Sequence, residues 1–135
     1  MSRRGILRVV RSRTPRGRRA ADTRQHASYA RDAKRALKNA ALRDCGRRCV
    51  YCAEHLALEE ATLDHVYPLA RGGAHAVGNL VTACGRCNRL KGDMLPHEFF
   101  ARCPWAGANF VRYARAVHRA LKRGARRAVS LAYAA

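Results

Sequence analysis

Two C-x-x-C pairs bracket the segment CVYCAEHLALEEATLDHVYPLARGGAHAVGNLVTACGRCNRLKG, which covers residues 49–92. The pairs are Cys49 with Cys52 and Cys84 with Cys87, and 31 residues separate them. Two thiolates at this spacing on a tight turn can both reach one ion, and two such turns complete a closed tetrahedral site. The pattern therefore predicts a structural Zn²⁺ site, with a functional insertion between its halves. A thioredoxin-like redox pair is the alternative, but it needs one C-x-x-C pair in a βαβ unit rather than two.

The composition gives a reason for such a site. Leu, Ile, Val and Phe make up 25 of 135 residues, and the formal net charge is +19. A chain of this length forms one domain, and so few large apolar side chains with so high a charge leave a weak core. We therefore expect the metal to replace part of the missing hydrophobic stabilisation. Cys45 and Cys103 lack a C-x-x-C partner and are left outside the site, with Cys45 as the alternative ligand.

The positive charge is concentrated in two arms. Residues 1–48 carry 16 basic and 3 acidic side chains, residues 49–98 carry 4 and 6, and residues 99–135 carry 8 and 0. Basic arms around a near-neutral centre attract polyanions, of which nucleic acid is the abundant intracellular one. A solvated, self-repelling surface is the alternative. The charge pattern predicts a nucleic-acid-binding protein.

The two arms differ in their expected structure. Residues 1–26 are Arg-rich with few apolar side chains, so we expect a basic arm that is disordered until bound, or alternatively an organellar transit peptide. Residues 28–45 contain no Pro or Gly, and Gly46 can end a helix, so this segment is predicted to be helical. Phe110, Ala114, Val117 and Leu121 predict a second, amphipathic helix that ends near Gly124. Its basic stripe includes Arg112, Arg115 and Arg119, which are candidate phosphate contacts.

The insertion between the cysteine pairs predicts a hairpin. Residues 62–66 form a short strand ended by Pro68, and residues 79–83 form its partner. The connecting loop contains Gly72, Gly73 and Gly78. A short helix that begins near Gly85 then carries Cys87, Asn88 and Lys91. Adjacent strand residues point to opposite sides, so Asp64 and His65 are expected to converge only if the chain leaves regular strand geometry there.

These residues resemble the HNH endonucleases. The similarity rests on the first C-x-x-C pair, Leu63-Asp64-His65-Val66-x-Pro68-Leu69-x-Arg71-Gly72-Gly73, Asn79-Leu80-Val81, and Cys84-x-x-Cys87-Asn88-x-x-Lys91-Gly92. It covers about residues 45–100. The resemblance implies a ββα-metal site in which His65 is the general base, Asp64 and Asn88 bind a catalytic divalent ion, and Asn79 fixes the loop that orients the base. Asn88 stands where the motif has its last His.

The chemistry of phosphodiester cleavage suits these residue types. A base that titrates near neutrality can generate the nucleophile, and unperturbed His has a pKa of about 6.5. A carboxylate and an amide oxygen are hard ligands, which favour Mg²⁺ or Mn²⁺. Arg71, Lys91 and Arg89 are further candidates for phosphate contacts. His75 lies in the loop and could approach the substrate. Tyr51 and Trp105 could stack on bases, although core packing is the expected role of both.

The sequence thus predicts a small α+β protein, a ββα-metal (HNH) core stapled by a four-cysteine zinc site and flanked by basic helices and the disordered basic arm. The expected limits are 1–26 for the arm, 27–102 for the nuclease domain and 103–135 for a basic amphipathic helical tail. The expected function is metal-dependent endonuclease activity on double-stranded DNA. An inactive zinc-stabilised nucleic-acid-binding module and an RNA-bridging assembly protein are the alternatives. No apolar run approaches the roughly 18 residues of a transmembrane helix, and no signal-peptide core is visible, so a cytoplasmic location is expected. The Ala- and Arg-rich composition suggests a GC-rich bacterial or phage genome.

Overall fold

The computed structural model describes residues 16–134, so the predictions for residues 1–15 lie outside the described part. The described residues divide into two units, one up to Asp32 and one from Ala33 onward. Helix α1 (Arg16–Asp44) comes first and is followed by strand β1 (Ala61–His65) and strand β2 (Leu80–Cys84). Four helices complete the chain: α2 (Gly85–Lys91), α3 (Pro96–Arg102), α4 (Pro104–Tyr113) and α5 (Arg119–Ala134). The predicted α+β fold class is confirmed. No helix in this part of the chain is long and apolar enough to cross a membrane.

The predicted hairpin is present, with each strand displaced by one residue from its expected limits. β1 and β2 pair antiparallel, with Asp64 opposite Val81 and His65 opposite Leu80. Every residue of β2 is buried. Gly73 closes the first turn of the connecting loop, where a Cβ would lie 1.8 Å from the carbonyl oxygen of Tyr67. Only glycine fits there, because the loop folds back tightly onto the end of β1.

Aromatic side chains form the centre of the core. Tyr51, Phe99, Phe100 and Phe110 are all fully buried. Their ring centroids lie 5.2 to 6.3 Å apart, a range in which aromatic pairs attract one another beyond their area burial. The predicted core role of Tyr51 is therefore confirmed, and the helices α3 and α4 are held against the first cysteine turn by these rings.

The C-terminal arm differs from its prediction. The apolar spacing predicted one helix through Phe110 and Leu121 that ends near Gly124, but the structure has two helices with a break at residues 114–118. Ala114 is fully buried in extended geometry, and the backbone N–H of His118 donates to the carbonyl of Gly78 at 2.8 Å. This contact with the hairpin loop redirects the chain. α5 then continues through Gly124 and packs on α3 and α4.

The N-terminal prediction also differs where it can be compared. Residues 16–26, which the sequence predicts to be disordered until bound, belong to α1. Pro15 precedes the helix, and no proline follows until Pro68. The Ala-rich and Arg-rich composition favours helix locally, whereas the disorder prediction considered only the lack of apolar surface. The side chains of residues 23–32 are all exposed.

Candidate active site and metal centre

The four cysteines of the two C-x-x-C pairs come together. Their Sγ atoms all lie within 4.8 Å of one another, and those of Cys52 and Cys84 are 3.9 Å apart. Bonds of about 2.3 Å from one central ion would separate tetrahedral sulfurs by about 3.8 Å. Among the described residues, this is the one group of three or more His, Cys, Asp or Glu side chains that could hold a metal ion. Cys45 and Cys103 are not part of it.

In both turns a backbone N–H donates a hydrogen bond to a cysteine sulfur. The N–H of Cys52 donates to the Sγ of Cys49 at 3.5 Å, and the N–H of Cys87 donates to the Sγ of Cys84 at 3.4 Å. The first turn is tied to β2, because the N–H of Val50 donates to the carbonyl of Thr82 at 3.1 Å. The two turns therefore form equivalent halves of a site whose geometry is set by main-chain hydrogen bonds.

Three of the clustered cysteines have shifted thiol pKa values. Burial, together with the neighbouring Cys49 sulfur, raises the pKa of the Cys52 thiol to about 11. Burial and the other sulfurs also raise the pKa of Cys87 strongly. Burial opposes ionisation of Cys84 as well, but hydrogen bonds from the Cys87 N–H and from nearby thiols outweigh it and lower its pKa. A bound divalent ion supplies the charge that four adjacent thiolates need.

Asp64 is buried at the end of β1 beside α2. Its Oδ2 accepts a hydrogen bond from the Tyr51 hydroxyl, and its Oδ1 accepts one from the Lys91 ammonium at 3.3 Å. Burial raises the pKa of this carboxyl, although Lys91 and Tyr51 both act to lower it. Each carboxylate oxygen retains a further lone pair, so the group is held in place while it can still accept another ligand.

Lys91 differs from its prediction. The sequence suggested that its ammonium holds a substrate phosphate, but its side chain is 0% exposed. The Nζ atom donates instead to Asp64 and, at 2.9 Å, to the carbonyl of His65. A buried cation with two internal acceptors has no free path to a surface phosphate. The structure therefore places Lys91 behind the site as the counter-charge of Asp64.

His65 is partly exposed and pairs with a second imidazole. Its Nε2 lies 2.8 Å from the Nδ1 of His75, and the two ring centroids are 5.1 Å apart. Burial and His75 lower the pKa of His65, so its neutral form dominates near neutrality. His75 is the residue that sequence reasoning valued too little. The signal was its position four residues before Asn79, in the same loop.

Asn79 fixes that loop at both ends. Its Oδ1 accepts from the Tyr67 N–H at 2.8 Å, and its Nδ2 donates to the carbonyls of Tyr67 at 2.9 Å and Ala74 at 2.8 Å. Ala74 precedes His75, so the same amide also sets where the second imidazole lies. The side chain is buried and its three hydrogen bonds are all internal, which favours a rigid loop.

Asn88 faces the hairpin from α2. Its Nδ2 donates to the hydroxyl of Thr62 at 3.1 Å, and that hydroxyl donates to the carbonyl of Ala83 at 2.8 Å. This chain fixes the orientation of the amide. The Oδ1 of Asn88 accepts no hydrogen bond within the described part of the chain, so it is available to a ligand. Thr62 is a second positioning residue that the motif did not indicate.

An open cavity of about 310 Å³ joins these side chains. Asp64, His65 and Asn88 all border it, together with Pro68 and Asp93. The strand keeps its regular register through Asp64 and His65, so the expected departure from strand geometry does not occur. The two residues border one cavity at the end of the strand, and its other lining residues come from β1 itself, from the loop after it, and from α2 and the residues that follow it.

Comparison with known proteins identifies this region. Residues 49–103 match the family described as HNH endonuclease. This stretch of the chain is therefore similar to the HNH endonucleases. This region is 41% identical over 49 residues to the CRISPR-associated endonuclease Cas9 of Actinomyces naeslundii. The aligned residues make up 36% of this chain and 4% of that relative. It is 36% identical over 47 residues to the Cas9 of Corynebacterium diphtheriae, again 4% of that protein.

A solved structure shows the same fold. The Type II-C Cas9 enzyme from Actinomyces naeslundii aligns with a TM-score of 0.55 at 24% identity, over 84% of this chain and 14% of that one. The chain therefore spans only a small part of the length of each relative. The aligned part extends well beyond residues 49–103.

The arginines that the sequence predicted to contact phosphates lie in different environments. Arg71 contacts Glu98 at 3.3 Å and is 43% exposed. Arg112 lies over the ring of Tyr113, with 5.4 Å between its Cζ and the ring centroid. Arg115 and Arg119 line a cavity of about 450 Å³ with three further cations, Lys122, Arg123 and Arg126. Within the described residues, the ion pairs are Arg71–Glu98, Arg86–Glu54 and Lys91–Asp64. The five basic side chains that line this cavity, the basic groove, therefore have no acidic partner among the described residues.

Proposed function

We propose that the chain is a metal-dependent endonuclease that hydrolyses phosphodiester bonds of DNA, with His65 as general base. The observation that supports this most is the shared cavity, in which a partly exposed imidazole, a fixed carboxylate and an unpartnered amide oxygen meet. These are the groups that hydrolysis of a phosphodiester needs. The family match of residues 49–103 points to the same chemistry.

His65 would take the proton of the attacking water. Its lowered pKa keeps the imidazole neutral, and therefore able to accept a proton, at neutral pH. Its Nε2 is engaged with His75, which leaves Nδ1 as the nitrogen with a free lone pair when Nε2 carries the proton. Asn79 holds the loop on which His75 lies, so the orientation of the base follows from the hydrogen bonds of one amide.

Asp64 and Asn88 would hold the catalytic ion. The donor set fits a hard cation, because one carboxylate oxygen retains a lone pair and the Asn88 Oδ1 has no protein partner among the described residues. Mg²⁺ and Mn²⁺ prefer such oxygen ligands. When bound, the ion supplies electrostatic stabilisation of the developing charge on the phosphoryl and leaving oxygens. Lys91 and Tyr51 fix the carboxylate of Asp64 through their hydrogen bonds and act to lower its pKa against the effect of burial.

The four-cysteine cluster would hold a structural Zn²⁺. Four thiolates in tetrahedral reach favour a borderline-soft ion with no open position. Metal analysis of the purified protein should return one zinc per chain. The expected substrate is double-stranded DNA, which the basic side chains of α5 and of the arms would hold through its phosphates, and the products should carry 5′ phosphate and 3′ hydroxyl ends. The domain limits 27–102 and 103–135 stay a prediction.

The test is cleavage of supercoiled plasmid with Mg²⁺ or Mn²⁺. Nicked or linear product should require the added ion and should disappear in His65→Ala. His97→Ala is the matched control, because His97 lies exposed on α3 outside the cavity, and it should cleave like the parent protein. Cleavage that persists in His65→Ala at equal zinc content would contradict the assignment of the base.

A zinc-stabilised binding module without activity is the second candidate. One observation favours it: both oxygens of Asp64 already accept hydrogen bonds from Tyr51 and Lys91. Under this alternative, those contacts serve the fold alone. It predicts that plasmid is retarded on a gel across metals and stays intact, with no effect of His65→Ala.

A further inference from the structure

The largest exposed aromatic ring near the cysteine cluster is Trp105. It is 44% exposed on the first turn of α4 and is the single tryptophan of the chain. It borders an open cavity of about 570 Å³ whose other lining residues are Cys52, Arg86, Cys87, Arg89 and Leu90. This cavity is separate from the one that contains His65. The sequence suggested that Trp105 belongs to the core, but the structure leaves it at the surface.

The exposure of Trp105 contrasts with its neighbours. Tyr51, Phe99, Phe100 and Phe110 are fully buried and pack on one another. Leu90, 50% exposed, extends the apolar surface beside the Trp105 ring. Cation–π contacts in the described part of the chain involve Tyr113 rather than Trp105. The Trp105 ring is therefore partly exposed beside Leu90, with no described cation stacked on it.

Two guanidinium groups flank this apolar surface. Arg86 is 73% exposed, and its ion pair with Glu54 is long, at 3.9 Å, between two exposed side chains, so it is worth little. Arg89 forms no ion pair with a described residue. An exposed ring beside one weakly paired and one unpaired guanidinium group complements a nucleotide, because a base stacks on the ring and a phosphate pairs with arginine.

Helix α2 connects this surface to the active site. Asn88 faces Thr62 across one side of α2, whereas Arg86 and Leu90, two residues away in each direction, lie near the opposite side. A helix is about 10–12 Å across with its side chains. A strand bound at Asn88 would thus reach Trp105 by passing around α2 beside Arg89.

We propose that Trp105, Leu90, Arg86 and Arg89 form a binding site for an unpaired nucleobase of a single strand next to the active site. The inference rests on the proposed function in so far as that function places nucleic acid at Asn88. A base inside a duplex has both faces stacked, so the site selects single-stranded, frayed or flipped nucleotides. It adds a substrate preference that the HNH motif itself does not specify.

Intrinsic fluorescence gives a direct test, since Trp105 is the only indole. The zinc-loaded full chain is titrated in Mg²⁺-free buffer with a thymidine oligonucleotide, with an abasic oligonucleotide of equal length, and with a blunt duplex. We expect quenching by the thymidine strand and little by the other two. Equal quenching by the abasic strand would refute base stacking and assign the signal to phosphate alone.

Variants provide the second readout. Trp105→Ala should weaken binding of the thymidine strand by about 5- to 100-fold, whereas Trp105→Phe should retain most of the affinity. Tyr133→Ala removes another exposed aromatic ring, on α5, and is the matched control. Unchanged affinity in Trp105→Ala at equal zinc content would overturn the proposal. Loss of self-association, with no effect on oligonucleotides, would assign the surface to a second copy instead.

The plasmid assay separates the two hypotheses. Normal cleavage by the parent protein without any base-dependent effect at Trp105 would refute this site and leave the endonuclease proposal intact. Base-dependent quenching without cleavage would support the site and refute the endonuclease proposal.

Discussion

Replacing Lys91 with methionine tests the buried ion pair behind the active site. The Lys91 side chain is 0% exposed and that of Asp64 is 6% exposed. Methionine has similar length and fills the space with apolar atoms. The substitution therefore removes the charge and its hydrogen bonds to Asp64 and His65 while it leaves the packing of α2 nearly intact.

The expected loss of stability is large. Removing one partner of a buried ion pair leaves an uncompensated charge, which costs about 3–5 kcal/mol. The matched double variant Lys91→Met/Asp64→Asn leaves neither charge and should recover most of that loss, because the asparagine Oδ1 can still accept from Tyr51. The difference between the single and double variants gives the coupling between the two side chains.

The cost of Lys91→Met should also depend on pH. Burial already raises the pKa of Asp64 above its ordinary value, and loss of Lys91 should raise it further. A carboxyl whose pKa is higher in the folded state binds more protons there, so it favours folding as the pH falls and opposes folding as the pH rises through that value. The destabilisation should therefore grow with pH between the unfolded-state pKa of the carboxyl, about 3.9, and its raised folded-state pKa, and stay constant above that value.

The assay is urea unfolding with saturating zinc and no Mg²⁺, analysed at constant slope. A cost below about 1 kcal/mol for Lys91→Met, the usual size for an exposed ion pair, would refute the buried ion pair. So would a double variant that is no more stable than the single one.

Four further predictions follow from the site. Cys84→Ser should release the metal and unfold the centre; retained zinc with an unchanged circular dichroism spectrum would contradict this. Thr62→Val frees the Asn88 amide and should weaken Mg²⁺-dependent cleavage about 10- to 100-fold, whereas an unchanged Mg²⁺ titration would exclude Thr62 as a positioning residue. Because the pKa of His65 is lowered, the acidic limb of the cleavage profile should lie below pH 6.5, and a midpoint above that value would count against His65 as the base. If 6 to 10 phosphates are contacted, DNA affinity should fall about 10³- to 10⁵-fold between 50 and 200 mM salt, and a flat response would argue against the basic groove.

Sequence reasoning worked well where neighbours along the chain set the structure. The hairpin, α2 and the two cysteine turns depend on short spacings, and each lies within one residue of its expected position. Turn residues and strand alternation are local signals, so a single sequence carries them.

It worked less well where distant segments meet. Lys91 is directed inward by its ion pair with the buried Asp64. The break after α4 depends on a hydrogen bond to Gly78, and the position of His75 beside His65 depends on where Asn79 holds the loop. None of these contacts leaves a periodic trace in the sequence. Helical spacing at residues 110–121 suggested a continuous helix because the alternative partner lies more than 30 residues away.

The seven-residue helix α2 carries Cys87 of the four-cysteine cluster and, at the next position, Asn88 of the proposed catalytic ion site. The two sites thus share a single rigid element within a 43-residue stretch, from Cys49 to Lys91. The rings of α3 and α4 pack on Tyr51 at the start of this stretch, so a shift of α2 would be felt at both cysteine turns and at the cavity together.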